Sequence, residues 1–335
     1  MSSVQYPDIF NELKAEVRAA GLLERVPVRG SIEMIAIVVS MAIVYTLVFN
    51  WSAIAPTTVW PAVGLAFFMI IIFTRAVFVS HDILHLQYFK NKSLSFKLSY
   101  PFSAIILSNS SAWWDFKHNI NHHTWCNVVD KDEDILALDG AFTPNNKGDS
   151  KFMKKYKYII FWGAMFFMYP AFIAQSYNFA IKNKKHGELF LMLMHWPIVW
   201  GPIFYFLPFA QAITVFLVLN IVLSAWLAFG FITNHLGCDV FDPEEGRELS
   251  WMEMQMRGSR SLIGGSFVHW FYGGLNTQIE HHLFPNICHI HYRKISKIVK
   301  ETAKEYQLPY HTHKTFFAAL KSHVVFLNKL GVGKV

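Results

Sequence analysis

Histidine is costly in lipid and is a common ligand for transition metals. This 335-residue chain gathers histidines into three tight groups. They are His81 and His85 in HDILH, His118, His122 and His123 in HNINHH, and His281 and His282 behind Gln278 in QIEHH. On a helix, residues four apart lie on one face, about 6 Å apart along the axis. His81 and His85 therefore point the same way, as do His118 and His122, with His123 about 100° round from His122. Gln278 shares a face with His281 and His282. Three short helices offering two or three such side chains each can surround two metal ions. Each His-His step can place one ligand on each ion. The spacing reads as a metal centre at one end of a helix bundle.

The elements that must carry these groups are apolar. The chain is 53% hydrophobic and 16% charged, against roughly 25% charged residues in soluble domains. That balance indicates a membrane protein, and the 31 phenylalanines suit a lipid-facing bundle or an acyl-lined tunnel. The net charge of +7 fits basic cytosolic loops near anionic headgroups. It would also steer an acidic electron-donor protein or an acidic thioester. No basic face stands free of the apolar stretches, so nucleic acid is not expected as a partner. Cys126, Cys238 and Cys288 are odd in number, which argues against a disulfide framework and for a reducing compartment. The histidines suffice as ligands without a thiolate. No signal-peptide pattern opens the chain.

The expected fold is all-α: an integral, multi-pass four-helix transmembrane bundle with a cytosolic helical cap holding the histidines. Spans are expected over residues 31–50, 60–80, 189–206 and 212–233, each near the 20 or so residues a bilayer core needs. Trp51 and Trp60 would be interfacial belt residues, and Arg75 would snorkel to the interface or meet an acyl headgroup. A further apolar stretch, residues 158–177, raises a question of parity. If it spanned, the third group would end on the opposite side from the first two, and Lys182-Asn183-Lys184-Lys185 would face outwards. It is therefore read as an interfacial or re-entrant helix broken near Pro170, which leaves both termini and every histidine group cytosolic. Residues 1–30 form a cytosolic segment with Phe10, Leu13 and Val17 on one side of a helix lying on the membrane. Residues 31–285 form the membrane domain, and residues 286–335 a basic cytosolic segment. Parity also promotes His235, at the cytosolic end of the fourth span, with Gly237 placed to end the helix. Asn234 beside it would act through a water or by bonding to a ligand.

A structural zinc site needs four ligands. Eight histidines and an amide imply two metals with open positions, and imidazole suits iron, zinc and copper. Such a centre beside an apolar tunnel suits activation of O2 against an unreactive C–H bond, which acid–base side chains cannot break.

HDxxH, HxxxHH and QxxHH resemble the three histidine boxes of the membrane fatty acid desaturases. Residues 270–285, WFYGGLNTQIEHHLFP, are similar to the third box of the front-end desaturases. Those enzymes insert a double bond between the carboxyl end and an existing double bond, most often at Δ6 or Δ5. The resemblance covers roughly residues 30–310. It implies two iron ions held by His81, His85, His118, His122, His123, His281 and His282. His235 matches the family's extra histidine after the fourth span. Gln278 stands where other desaturases place a histidine, and it joins Asn234 as a candidate at the reacting centre. Zinc would outcompete ferrous iron in overexpressed protein. The implied partners are a fatty acyl substrate (as CoA thioester, lipid or acyl carrier protein), O2 and membrane lipids. The haem motif HPGG of fused relatives is absent from the sequence, so a separate donor, ferredoxin or cytochrome b5, is expected. Thr124-Trp125-Cys126-Asn127 departs from the threonine- and asparagine-based pattern usual after the second box.

Other residues have plainer expectations. Asp82 and Asp115 orient histidines or cap helices. The run Asp130-Lys131-Asp132-Glu133-Asp134 is read as a solvated loop. His269, His289 and His291 are outer or surface residues, and Trp113 and Trp114 are interface anchors. Two rival functions remain: a membrane hydroxylase or alkane monooxygenase, which would give an alcohol, and a zinc-binding receptor or transporter. The transporter would carry its ligands inside the spans.

Overall fold

The computed structural model describes residues 6–136 and 150–331. The extreme ends of the two terminal segments expected above lie outside them. The chain divides into two compact units. One comprises Val26–Asp115 and Ala164–Ala228; the other comprises Met1–Arg25, Phe116–Gly163 and Phe229–Val335.

The first of these units carries the membrane-length helices. Pro27–Phe49, Trp60–Leu84, His186–Phe206 and Phe209–His235 are each long and apolar enough to cross a bilayer, the last running on into the other unit. Their apolar residues are not all covered by protein: Val38, Val39 and Ile43 are exposed, as a lipid-facing surface requires. Pro61 in the first turn of the second helix starts it without losing a needed hydrogen bond. That helix continues past its expected end, so His81 is helical and His85 caps it. Leu86 then takes a positive φ of 58° and turns the chain away.

Several expectations for this unit are corrected. Trp51 is not a belt residue. It is buried and its indole donates to Gln211 Oε1 at 2.6 Å. The Gln211 amide in turn donates to the carbonyls of Pro56 and Thr58. The turn after the first span is thus fastened to the start of the fourth. Arg75 does not snorkel; its guanidinium lies 3.3 Å from the Glu33 carboxylate. Trp113 is buried and packs with Trp114 on Phe172, at ring separations of 5.5 and 6.3 Å. The stretch expected to break near Pro170 breaks earlier. Helices Lys151–Met165 and Met168–Lys182 are bent by 68° at Phe166-Phe167. Pro170 lies in the first turn of the second helix, where its missing N–H costs nothing.

In the other unit, helix Tyr6–Ala19 buries Ile9, Leu13 and Val17, at positions i, i+4 and i+8 of one face. They join a core with Met252, Met256, Tyr292, Ile295 and Val299, and Phe10 packs edge-on to Trp251 at 5.1 Å. The apolar face expected to lie on the membrane is instead covered by protein. Helix Tyr292–Glu305 offers a matching apolar stripe backed by a basic face, and burying such side chains stabilises by about 1.5–3 kcal/mol each. A short parallel pair, Ser261–Leu262 with Thr312–His313, joins a mostly helical fold of the expected class.

Candidate metal centre

The second histidine group is not an α-helix. Asp115–His122 is wound as a π-helix, whose hydrogen bonds close over five residues instead of four. That winding stacks His118 on His122, with ring centres 5.2 Å apart. It also brings His123 back to His118, with Nε2 atoms 3.3 Å apart. A regular helix would have turned His123 away. The third group lies on the short helix Gln278–Leu283, and His235 ends the fourth long helix. Gly237, with φ of +81°, lets the chain leave that helix at once.

These segments gather His118, His122, His123, His235, His281 and His282, all buried. His122, His235 and His282 form a triangle with ring separations of 4.7, 4.9 and 4.8 Å. Donor atoms of these three and of Cys126 lie within 4.8 Å of one another. His123 lies 4.7 Å from His281 and 4.5 Å from His282, ring to ring.

Four of these rings are held from outside through Nδ1. His122 Nδ1 donates to Asp132 at 2.8 Å, and His235 Nδ1 to the Gly258 carbonyl at 3.0 Å. His282 Nδ1 donates to Gln255 Oε1 at 2.6 Å, and His281 Nδ1 to the Tyr292 hydroxyl oxygen at 3.2 Å. The directions are fixed by the next bonds out. Gln255 Nε2 donates to the His123 carbonyl, which turns Oε1 to His282. The Tyr292 hydroxyl donates to the Phe284 carbonyl. With the proton on Nδ1, the lone pair a metal needs is on Nε2.

Asp132 corrects the reading of its run as a solvated loop. It is buried and accepts backbone N–H bonds from Asn127 and Asp134, each at 2.8 Å. Burial pushes its carboxyl up, but His122, the Asn127 N–H and His235 outweigh this and hold it below the ordinary range. Its neighbour Asp134 pairs with Lys117; burial lowers that ammonium to about 8. Only tertiary packing distinguishes Asp132 from the acids beside it.

His81 and His85 belong to the other unit and pair within one helix, ring centres 4.4 Å apart. His81 Nδ1 donates to Asp82 at 3.1 Å. Asp82 thus takes the histidine-orienting alternative, whereas Asp115 faces Lys92 at 2.9 Å. Gln278 and Asn234 are both buried and bonded together. Asn234 Nδ2 donates to Gln278 Oε1 at 3.2 Å, and Gln278 Nε2 faces His235 Nε2 at 3.0 Å. His269 is held by Asn276 and the His289 carbonyl, away from this group. The sequence sets Cys126 aside as a ligand and gives no notice of Gln255. Cys126 Sγ lies 3.7 Å from His235 Nδ1, and burial pushes its thiol well up. Its signal was its place three residues after the second box. Gln255 had none.

The donor set fits a divalent transition metal. It is nitrogen-rich and buried, and its imidazoles are oriented by carboxylate, amide, carbonyl and phenol partners. A buried, imidazole-rich site in a helical membrane protein can host metal-dependent chemistry. Residues 58–314 match the family model described as fatty acid desaturase, and the chain belongs to that family. It is an oxidoreductase of lipid metabolism. Among its relatives is the sn-1 linoleoyl-lipid 6-desaturase of Synechocystis, 27% identical over 87% of this chain and 87% of the relative. Delta(8)-fatty-acid desaturase 2 of Arabidopsis thaliana is 27% identical over 90% of this chain and 70% of its own. A Delta(5) fatty acid desaturase of Caenorhabditis elegans is 27% identical over 92% and 70%.

Proposed function

We propose that this chain is a front-end acyl desaturase, forming a cis double bond at Δ6 or Δ5 of an already unsaturated chain. The observation that carries this is the Gln278-led third box, in a chain whose relatives are named for Δ6, Δ8 and Δ5 desaturation. Two hydrogens leave adjacent acyl carbons. O2 takes four electrons, two from those C–H bonds and two from a reduced donor, together with the two acyl hydrogens and two protons from water, and leaves as two waters. Two iron ions, with His81, His85, His118, His122, His123, His235, His281 and His282 as ligands, would supply the O2 activation that no side chain provides. The protein's own part is to hold the imidazoles in one tautomer through Asp82, Asp132, Gln255, Tyr292 and the Gly258 carbonyl. Gln278 and Asn234 set the polar contact at His235. A ferredoxin or cytochrome b5 delivers the electrons.

The Synechocystis relative is named for a lipid-linked linoleoyl chain, which supports an acyl lipid as the substrate of this chain. The test is expression in a host fed defined fatty acids, with mass spectrometry to locate any new double bond. A new Δ6 or Δ5 bond is expected. A hydroxylated product, or a bond on the methyl side of the existing one, would overturn the reading. The histidine groups and both termini are placed on the cytosolic side, as Lys182, Lys184 and Lys185 favour. Labelling of a Lys184→Cys variant from outside alone would overturn that placement.

A further inference from the structure

Glu33 is a buried carboxylate in a helix of membrane length. Ionisable groups in such helices are costly and mark function. Glu33 accepts from Arg29 Nε at 2.8 Å and lies 3.3 Å from Arg75 of the second span. The Tyr88 hydroxyl lies 2.7 Å from Glu33 Oε2 and 3.0 Å from Asp82 Oδ2. Asp82 in turn takes His81 Nδ1 at 3.1 Å. Hydrogen bonds therefore run unbroken from the first span to the first histidine box.

The Tyr88 ring has a built seat. It lies against the bare backbone of Gly30, where a Cβ would come within 2.3–2.8 Å of three ring atoms. Tyr88 itself is fully buried. A phenol has one hydrogen to share between two carboxylates, so moving either acceptor changes what the other receives. Mere packing of two spans does not call for this. Apolar residues of similar volume often replace buried ion pairs at no loss of stability, and alanine at a helical Gly30 would ordinarily stabilise by about 1 kcal/mol.

We propose that Tyr88, seated on Gly30 and tied to Glu33, is a positioning residue for the first histidine box. It fixes Asp82, and through Asp82 the imidazole of His81. The proposal rests on the reading of His81 as a metal ligand. Tyr88 does not touch the reacting atoms.

The test uses full-length purified protein and Co2+ as the probe, which reports ligand geometry by its absorption bands. Wild-type protein is expected to take about two Co2+ per chain. Tyr88→Phe removes one hydroxyl and keeps the ring. It should weaken one equivalent about 10–100-fold in competition with a chelator and shift its bands, leaving the other unchanged. Gly30→Ala keeps every polar group and only displaces the ring, and it should do the same. Asp82→Asn should match both. Combined with Tyr88→Phe it should cost little more, because the two act in series. A purely structural tyrosine would lower the melting temperature without singling out one equivalent. Wild-type affinity and spectrum in Tyr88→Phe would overturn the proposal, as would additive losses in the double variant. If Gly30→Ala does not fold, Tyr88→Phe decides. Wild-type protein that takes no metal would sink the metal reading itself, a result separable from the others.

Discussion

His81 and His85 lie one turn apart on a single helix, whereas His122, His235 and His282 come from three distant stretches of chain. The first pair is set by helix periodicity, and the acid that orients His81 is the next residue, Asp82. The triangle has no such local logic. Its rings are held by groups outside their own segments: His122 by a loop acid, and His235 and His282 by helix Trp251–Gly258, through the Gly258 carbonyl and the Gln255 amide. Ligands that share a helix need one further contact to fix a tautomer. Ligands from separate elements need a built scaffold. The two regions should therefore fail differently when disturbed.

The largest effect is expected from the ligands themselves. His85→Ala and His235→Ala should each abolish double-bond formation, measured as product fatty acid in a fed host. An active His235→Ala would show that the triangle is not part of the centre. Gln278→Leu should come next. It loses the polar contact with His235 and Asn234, so desaturation should fall to background while the purified protein keeps its melting temperature. Glu280→Gln should be milder, because Glu280 faces Ser261 and Tyr310 instead. Gln278→Leu at the wild-type rate would reduce Gln278 to packing.

Asp132→Asn separates ring orientation from ligation. Loss of an outer partner typically costs about 10–100-fold in metal affinity. Asp132 also accepts two backbone N–H bonds. Its amide variant should therefore lose stability as well as metal, whereas Asp82→Asn should lose metal with less change in melting temperature. Equal melting losses would mean that the two regions are held alike. The smallest effect on chemistry is expected from Leu13→Ala. A buried leucine cut to alanine costs about 2–5 kcal/mol, so thermal unfolding in detergent should come earlier. Activity per folded molecule should be unchanged. A loss of activity without a loss of stability would tie the N-terminal helix to the site directly.

Much of this was legible from residue types alone. The four long helices follow from apolar run length. Gly237 marked the end of the fourth, and His235 was found because it sits there. Where structure and sequence differ, the cause is shared. The types of Trp51, Arg75 and Trp113 favour a membrane interface, yet each finds a specific protein partner. The Tyr6–Ala19 helix has the amphipathic stripe of a membrane-surface helix, and that stripe fits equally well against Tyr292–Glu305. An apolar face states that it must be covered, not by what.

Residue types and their spacing carry the chemistry on offer: eight imidazoles, a glutamine heading the third box, and apolar helices of bilayer length. Residue type and local periodicity are carried by neighbours in the chain. Tertiary structure decided which groups orient those imidazoles. It drew Asp132 out of an acidic run, set Gln255 on His282 and wound residues 115–122 into a π-helix that returns His123 to His118. It also linked Glu33 through Tyr88 to Asp82. Those choices depend on contacts between residues far apart in sequence, and on the need of every buried polar group for a partner.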